Sequence, residues 1–486
     1  MSVLFRNVYA YPAVDRLTDV LVEGNRITAI GRDLTGDRII DGHGHHLLIP
    51  GLINAHFHSP ANHLKGSLPS LPLELFMLYE SPVTEALRPT PREAYLRTML
   101  GAIEMVRTGT TSVQDDAFLM PYPEPEIIDA VMQAYADSGL RATVALDQPE
   151  VPEGDKLPFR DPSPALAAEL RRPAPLPAAD LLARYDHLIS RWHGAEGGRL
   201  GAAVSISAPQ RVSPDYFAAL DDLSRRHRLP FYAHMLETKV QRTLAAEKHG
   251  GRSLVRYTAD LGLLSDRMNV IHAVWTDEHD WDLIAGAGSI VAHNPVSNLR
   301  LGSGIMPFRA IRDRGIPVGL GVDEAICDDA VNMWGVVKMA GLIHNVTGLD
   351  SDRWPAAVEV LDCLWSGGAA AMLRDDLGRV APGQLADLAL LDLHGLAFTP
   401  LNDVPGQLVY CESGADVALS MVDGRIVAER GRLTGVDEDA LLAEAREVFA
   451  AKAPALAEAR AAAARWFPEY QQMVRRAAAT DVGMNR

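Results

Sequence analysis

Cysteine is nearly absent: Cys327, Cys363 and Cys411 are the only three in 486 residues, odd in number and scattered. That usage excludes a disulfide framework and fits the reducing cytoplasm. No two of the three have zinc-site spacing. Positive charge is also in deficit, with 46 Lys and Arg against 63 Asp and Glu and a net charge of −17. Such a balance argues against a nucleic-acid partner or an anionic membrane surface. No apolar run reaches the roughly 18 residues of a membrane span. There is no heptad seam and no basic arm, and the amino terminus lacks the apolar core of a signal peptide.

What is present reads as a globular α/β protein. Hydrophobic residues make up 48% and charged residues 22%, and the length allows more than one domain. Residues 1–50 form short strand-like runs, including Asp19–Val22 and Ile27–Ile30 around a Gly24-Asn25 hairpin signal. The same texture returns at 385–391 and 418–427, which predicts a small β-sandwich domain built from both chain ends, 1–50 and 382–436. Between them, residues 51–381 alternate buried strand-like runs with helical stretches, the pattern of a (β/α)8 TIM barrel. The proline-rich segment 149–177 reads as a loop excursion. Residues 437–486 are dominated by alanine with Leu, Glu and Arg, and should form helices on the outside or at the contact of a homodimer.

The most informative feature is His56-Phe57-His58 directly after the run Leu47–Asn54. Strand side chains two apart share a face, so both imidazoles can point at one ion. Further candidates end later strand-like runs: His234 after Phe231-Tyr232-Ala233, His272 after Asn269-Val270-Ile271, and Asp323 after Gly321-Val322. In a barrel the carboxyl ends of the strands face one mouth. His56, His58, His234 and Asp323 make a donor set for one divalent metal, zinc by default, with iron or manganese accepting the same ligands. Such an ion would lower the pKa of a bound water towards neutrality. Glu237, three residues past His234, could move its proton to a leaving amine. His272 would polarise the substrate, and Asp323 could also orient the nucleophile.

Other candidates read as structural. His43 and His45 sit among glycines in a turn-like stretch. His293 reads as structural or as support behind the ligands. His63, His249, His279 and His344 fit helix or loop surfaces, and Asp115-Asp116 fits a solvated loop. No lysine occurs between Lys156 and Lys239, so the run from Ala202 to Gln210 cannot supply a lysine bridging two metals.

These residues resemble the amidohydrolase superfamily, in the branch of s-triazine hydrolases and methylthioadenosine/S-adenosylhomocysteine deaminases. The resemblance spans nearly the whole chain. It is carried by Pro50–His58, Thr108-Gly109-Thr110-Thr111, His234–Thr238, His272–Trp275, His293–Leu299, Leu377-Gly378-Arg379 and Pro382–Leu388. It implies a mononuclear metal at His56, His58, His234 and Asp323, with Glu237 and His272 as proton-transfer and stabilising groups. Three departures concern the substrate. Glu74 matches the ribose-binding glutamate of the nucleoside deaminases, but Phe76 replaces their tryptophan. Gln210 lies in the stretch where they carry a histidine, and Glu324 replaces the usual glycine after the metal aspartate. These differences argue against an adenosine-type substrate. They make Glu74, Phe76, Gln210 and Glu324 candidate substrate contacts, under a lid formed by Ser59–Pro89.

The expectation is therefore a hydrolytic deaminase that releases ammonia from an amino-substituted nitrogen heterocycle. A dechlorinating or N-dealkylating triazine-type hydrolase would use the same site. A non-catalytic scaffold is disfavoured because the ligand set is complete.

Overall fold

Both ends of the chain meet in one sheet. The computed structural model describes residues 2–80, 82 and 84–486, so Ser81 and Val83 of the expected lid lie outside the described residues. The first five strands are β1 (Ser2–Ala10), β2 (Ala13–Glu23), β3 (Arg26–Gly31), β4 (Arg38–Asp41) and β5 (His46–Pro50). The expected Gly24-Asn25 turn joins β2 to β3, with Gly24 at φ 61°. A second group comprises β16 (Leu388–Asp392), β17 (Val417–Val422), β18 (Arg425–Glu429) and β19 (Arg432–Leu433). The two groups join through antiparallel β5 and β16, in the order β19-β18-β17-β16-β5-β1-β2-β3, with β4 on β1. One apolar cluster, including Phe5, Val20, Leu48, Leu388 and Met421, draws on both groups and so ties the chain ends together.

The middle of the chain supplies two five-stranded parallel sheets. The first contains β6 (Leu52–His58), β7 (Thr110–Ala117), β8 (Arg141–Leu146) and β9 (Leu200–Ala202), with β15 (Asp323–Glu324) beside β6. The second runs β10 (Val204–Ser205), β11 (Phe231–Met235), β12 (Met268–His272), β13 (Ile290–His293) and β14 (Val318–Leu320). Strands β6, β7, β8, β11, β12 and β13 are buried at every position, as parallel strands covered on both faces should be.

Several helices between the strands begin at well-formed caps. Thr90 and Glu93 make a reciprocal capping box for Pro91–Arg107, and Ser213 caps Pro214–His227. The excursion at 149–177 is not wholly irregular. It carries two short helices, Glu153–Lys156 and Pro164–Leu170, and the latter buries Leu166 and Leu170. The carboxyl-terminal residues form the expected helices, Glu438–Ala463 and Phe467–Ala479. Among the described residues no helix is long and apolar enough to cross a membrane.

Candidate active site

Strand register brings the sequence candidates together. In the parallel pair of β15 with β6, Asp323 is opposite Phe57, so it lies between the two flanking histidines. Strands β11 and β12 pair with Met235 opposite His272, which sets His234 and His272 on adjacent strand ends. His56 Nε2 and His58 Nε2 each lie 3.4 Å from Asp323 Oδ1. His234 Nε2 lies 3.2 Å from His56 Nε2 and 3.3 Å from His58 Nε2.

These separations test whether the donors fit an ion. Four of the six separations among these donors are thus 3.2–3.4 Å, near the roughly 3.3 Å between ligand atoms that bind one zinc at about 2.0 Å, while His234 and Asp323 stand further apart across the site. The histidines are also set in the right tautomer. His234 Nδ1 donates to the Ser207 carbonyl at 2.7 Å, and His58 Nδ1 donates to the Asp116 carbonyl. A carbonyl can only accept, so in each ring the proton sits on Nδ1 and Nε2 keeps its lone pair. Burial lowers the His56 pKa to about 4 and holds His234 well below its ordinary value, so both rings stay neutral, as ligands must be. Burial alone would raise the pKa of Asp323. The hydrogen bond to His56 and the surrounding imidazoles overcome this and hold it far below the carboxylate range. The donor set fits a divalent ion.

Two of these residues occupy unusual backbone. His272 (φ 71°) and Asp323 (φ 69°) are left-handed, a conformation that costs a non-glycine residue of order 1–3 kcal/mol and clusters at functional sites.

Glu237 and His272 face this centre. Glu237 Oε2 lies 3.6 Å from His272 Nε2, and His272 Nε2 lies 3.8 Å from Asp323 Oδ2. Burial raises the Glu237 carboxyl above its ordinary value, which suits a group that must both take and give a proton near neutrality.

Several supporting residues were not singled out from the sequence. Ser303 donates its hydroxyl to Glu237 Oε1 at 3.2 Å, and the Glu237 amide donates to Gln241 Oε1 at 2.8 Å. Ser297 donates to Asp323 Oδ2 at 2.6 Å, and His272 Nδ1 lies 2.9 Å from Asn298 Oδ1. Ser297 and Asn298 sit on the short helix Pro295–Arg300 that follows β13. Both fall inside the His293–Leu299 motif quoted above, which was the available signal.

Two expectations are corrected. Asp115 and Asp116 are not on a solvated loop but fully buried in β7, because that strand continues through Ala117 with both faces covered. Asp115 accepts from the Ser59 amide and the Tyr135 hydroxyl, and Asp116 accepts from Ser205. With Asp147, 3.8 Å from His58 Nδ1, they set three carboxyl groups behind the imidazoles, and burial raises the pKa of Asp115 and, well above its ordinary value, that of Asp116. His344 is buried rather than surface-exposed, since its ring stacks on Phe308 and its Nε2 lies 3.1 Å from that of His293. His63 is part-buried, with its ring against Phe449. His249 and His279 do lie at or near the surface, and His293 is a buried structural partner.

A cavity of about 570 Å³ is lined by Gln241, the residue that accepts from the Glu237 amide, but not by Glu237 itself or by the four converging donors. Its lining includes Glu74, Gln210 and Gln241, with residues of the helix Leu73–Glu80, of the 149–177 excursion and of both carboxyl-terminal helices. Of the four candidate substrate contacts, Glu74 and Gln210 line this cavity. Phe76 packs instead among Ala61, Leu64, Leu301 and Ile326. Glu324 bonds to Glu80 and accepts from the Cys327 thiol, and its pKa is raised by burial and by the neighbouring carboxylates.

The model of the amidohydrolase family matches residues 47–427. The chain belongs to that family. A 5-methylthioadenosine/S-adenosylhomocysteine deaminase of Nitratidesulfovibrio vulgaris is 35% identical, over 83% of this chain and 85% of that one. A 5′-deoxyadenosine deaminase of Methanothermobacter thermautotrophicus is 32% identical over 87% and 92%. Among solved structures, an adenosine deaminase of Xanthomonas campestris with bound zinc superposes with a TM-score of 0.80 at 25% identity, over 93% and 98% of the two chains. An atrazine chlorohydrolase of Arthrobacter aurescens shares the fold, with a TM-score of 0.80 at 24% identity over 92% and 99%.

Proposed function

We propose that this protein is a metal-dependent hydrolytic deaminase that releases ammonia from the exocyclic amine of an adenosine-type nucleoside. The observation that carries the reading is the convergence of His56, His58, His234 and Asp323 beside the Glu237–His272 pair. Those four residues would hold a divalent ion, zinc first, which would supply Lewis acidity to make water nucleophilic near neutral pH.

The chain's own groups do the rest. Glu237, buried and held by Ser303, takes the proton from the attacking water and delivers it to the departing nitrogen. His272, with Nδ1 against Asn298, turns Nε2 towards the reacting centre and stabilises charge as it develops. Asp323, held by Ser297, accepts a hydrogen bond from the nucleophile and orients it.

The three departures noted above argued against an adenosine-type substrate, and the relatives named for such nucleosides weigh the other way. So does the position of Glu74, on the cavity wall and bonded to the residue after Glu237. The buried Gln210 Oε1 has no protein partner among the described residues, which leaves an acceptor for a substrate donor. Two architectural readings accompany this one. The two parallel sheets make the halves of one (β/α)8 barrel over 51–381. The nine-stranded sheet makes a small β-sandwich domain over 1–50 and 382–436, with 437–486 as added helices.

The test is ammonia release from 5′-substituted adenosines, other aminopurines, pterins, pyrimidines and amino- or chlorotriazines. Turnover confined to adenosine nucleosides supports the proposal. Chloride release from a chlorotriazine, with no ammonia from any nucleoside, would overturn it.

A further inference from the structure

A second group of metal-ligating side chains lies in the nine-stranded sheet, apart from the site just described. His45, at the entrance to β5, places Nδ1 2.9 Å from Asp392 Oδ1 at the end of β16. The ring of His394 stacks on that of His45, with centroids 4.0 Å apart and planes 8° apart. One ligand atom from each of the three residues falls within 4.8 Å of the others. We propose that His45, Asp392 and His394 bind a second, peripheral divalent transition metal that clamps the start of β5 to the end of β16.

The frame is rigid and the ligands are accessible. His46 is the register partner of Asp392, and the Leu393 amide donates to the His45 carbonyl at 2.8 Å, so main-chain bonds fix the spacing of the two strands. The His394 amide donates to Asp392 Oδ1 at 2.9 Å, which holds the carboxylate towards His45. His45 and Asp392 are half-buried and His394 is exposed. A tetrahedral ion needs ligand atoms about 3.3 Å apart, with each imidazole lone pair in the ring plane pointing at the metal. His394 is free to tilt out of the stack and meet that requirement. Two further imidazoles stand close: His46, its ring 4.4 Å from that of His45, and His43, at 6.1 Å. An imidazole-rich set with one carboxylate selects zinc, nickel or copper over magnesium or calcium. An ion there would cross-link residues 347 apart in sequence and stabilise the folded chain by mass action.

Zinc alone is the probe. Purified holoprotein is dialysed against buffered free zinc, and bound metal is counted by mass spectrometry while the unfolding temperature is followed. Wild type should bind two ions per chain and melt higher as free zinc rises. In H394A the second ion should bind more weakly by about tenfold or more, with the zinc-dependent rise in melting temperature lost and ammonia release unchanged. The exposed His394 can be altered without disturbing the strands. The pair H45Q and H45A, each checked for wild-type melting in the absence of added zinc, provides a second route. A wild-type stoichiometry of one, or a second ion that survives both H394A and the H45 variants with unchanged affinity, would overturn the proposal.

Discussion

The hydroxyl of Thr238 lies 2.6 Å from Oε1 of Glu74, which joins the helix Leu73–Glu80 to the turn that carries Glu237. Thr238 also caps the helix Lys239–Lys248 by accepting from the Gln241 amide, and Gln241 in turn holds the Glu237 amide. One side chain thus couples the cavity wall to the proton-transfer group.

Glu74 should make substrate binding depend on pH. Burial raises its pKa to about 7, so the carboxyl is neutral below that value and an anionic acceptor above it. If it accepts from ribose hydroxyls, KM should fall as pH rises from 6 to 8. In Glu74→Gln that part of the pH profile should flatten and KM should rise at pH 8. Initial-rate kinetics across the range check this, and a wild-type profile in E74Q would contradict it.

Exchanging Glu237 for glutamine should lower kcat by about 10²–10⁴-fold, the usual contribution of a general acid–base group. Metal content should not change, because Glu237 is not among the four converging donors. Ser303→Ala, which removes the hydrogen bond to Glu237, should reduce kcat by less and shift the acid limb of the pH–rate profile. Metal analysis beside steady-state rates separates these effects.

Removing the ion with a chelator should abolish ammonia release, and zinc should restore it. Asp323→Asn should bind metal more weakly, since it exchanges an anionic donor for a neutral amide beside three imidazoles. Titration of the stripped protein with zinc, read by activity and by metal count together, tests both points.

Gly321→Ala should damage the site without replacing a ligand. A methyl group there would come 2.5 Å from Asn294 Oδ1 and 2.8 Å from His56 Cβ. The shift of His56 that relieves this contact should cost about 100-fold in kcat/KM, the scale of a misplacement near 1 Å. A variant with wild-type activity and metal affinity would refute it.

Arg141 on β8 makes a bidentate pair with Asp387, at 2.6 and 3.1 Å, and also reaches Asp423. The Arg141–Asp387 pair is almost fully buried and links the parallel sheet to the nine-stranded one. Arg141→Met leaves an uncompensated buried carboxylate and should destabilise the protein by about 3–5 kcal/mol. Chemical denaturation monitored by near-UV circular dichroism would show the loss.

Much of the candidate site could be read from the sequence because strand geometry is periodic. His56 and His58 share a face by the rule of two, and His234, His272 and Asp323 each end a short apolar run. What stayed hidden depends on tertiary context. Ser297, Asn298 and Ser303 are ordinary loop-type residues until the chain after β13 folds back over the strand ends. Asp115 and Asp116 resembled a loop because paired acids seldom occupy a strand buried on both faces, and only their partners Tyr135, Ser59 and Ser205 make that tolerable. Phe76 falls in the right segment but points into the packing beneath it, since position along a helix does not tell which side meets a ligand.

The pairing of β5 with β16 has a consequence for biosynthesis. His46–Pro50 leave the ribosome more than three hundred residues before Leu388–Asp392, their neighbours in the sheet. At about 5–20 residues per second, that interval is roughly 20–70 s. Throughout it the nascent chain carries an apolar strand with one unsatisfied edge, a template for pairing with other chains. Slowing elongation late in the message should therefore raise the insoluble fraction, whereas a circular permutant that makes the two strands neighbours in time should lower it.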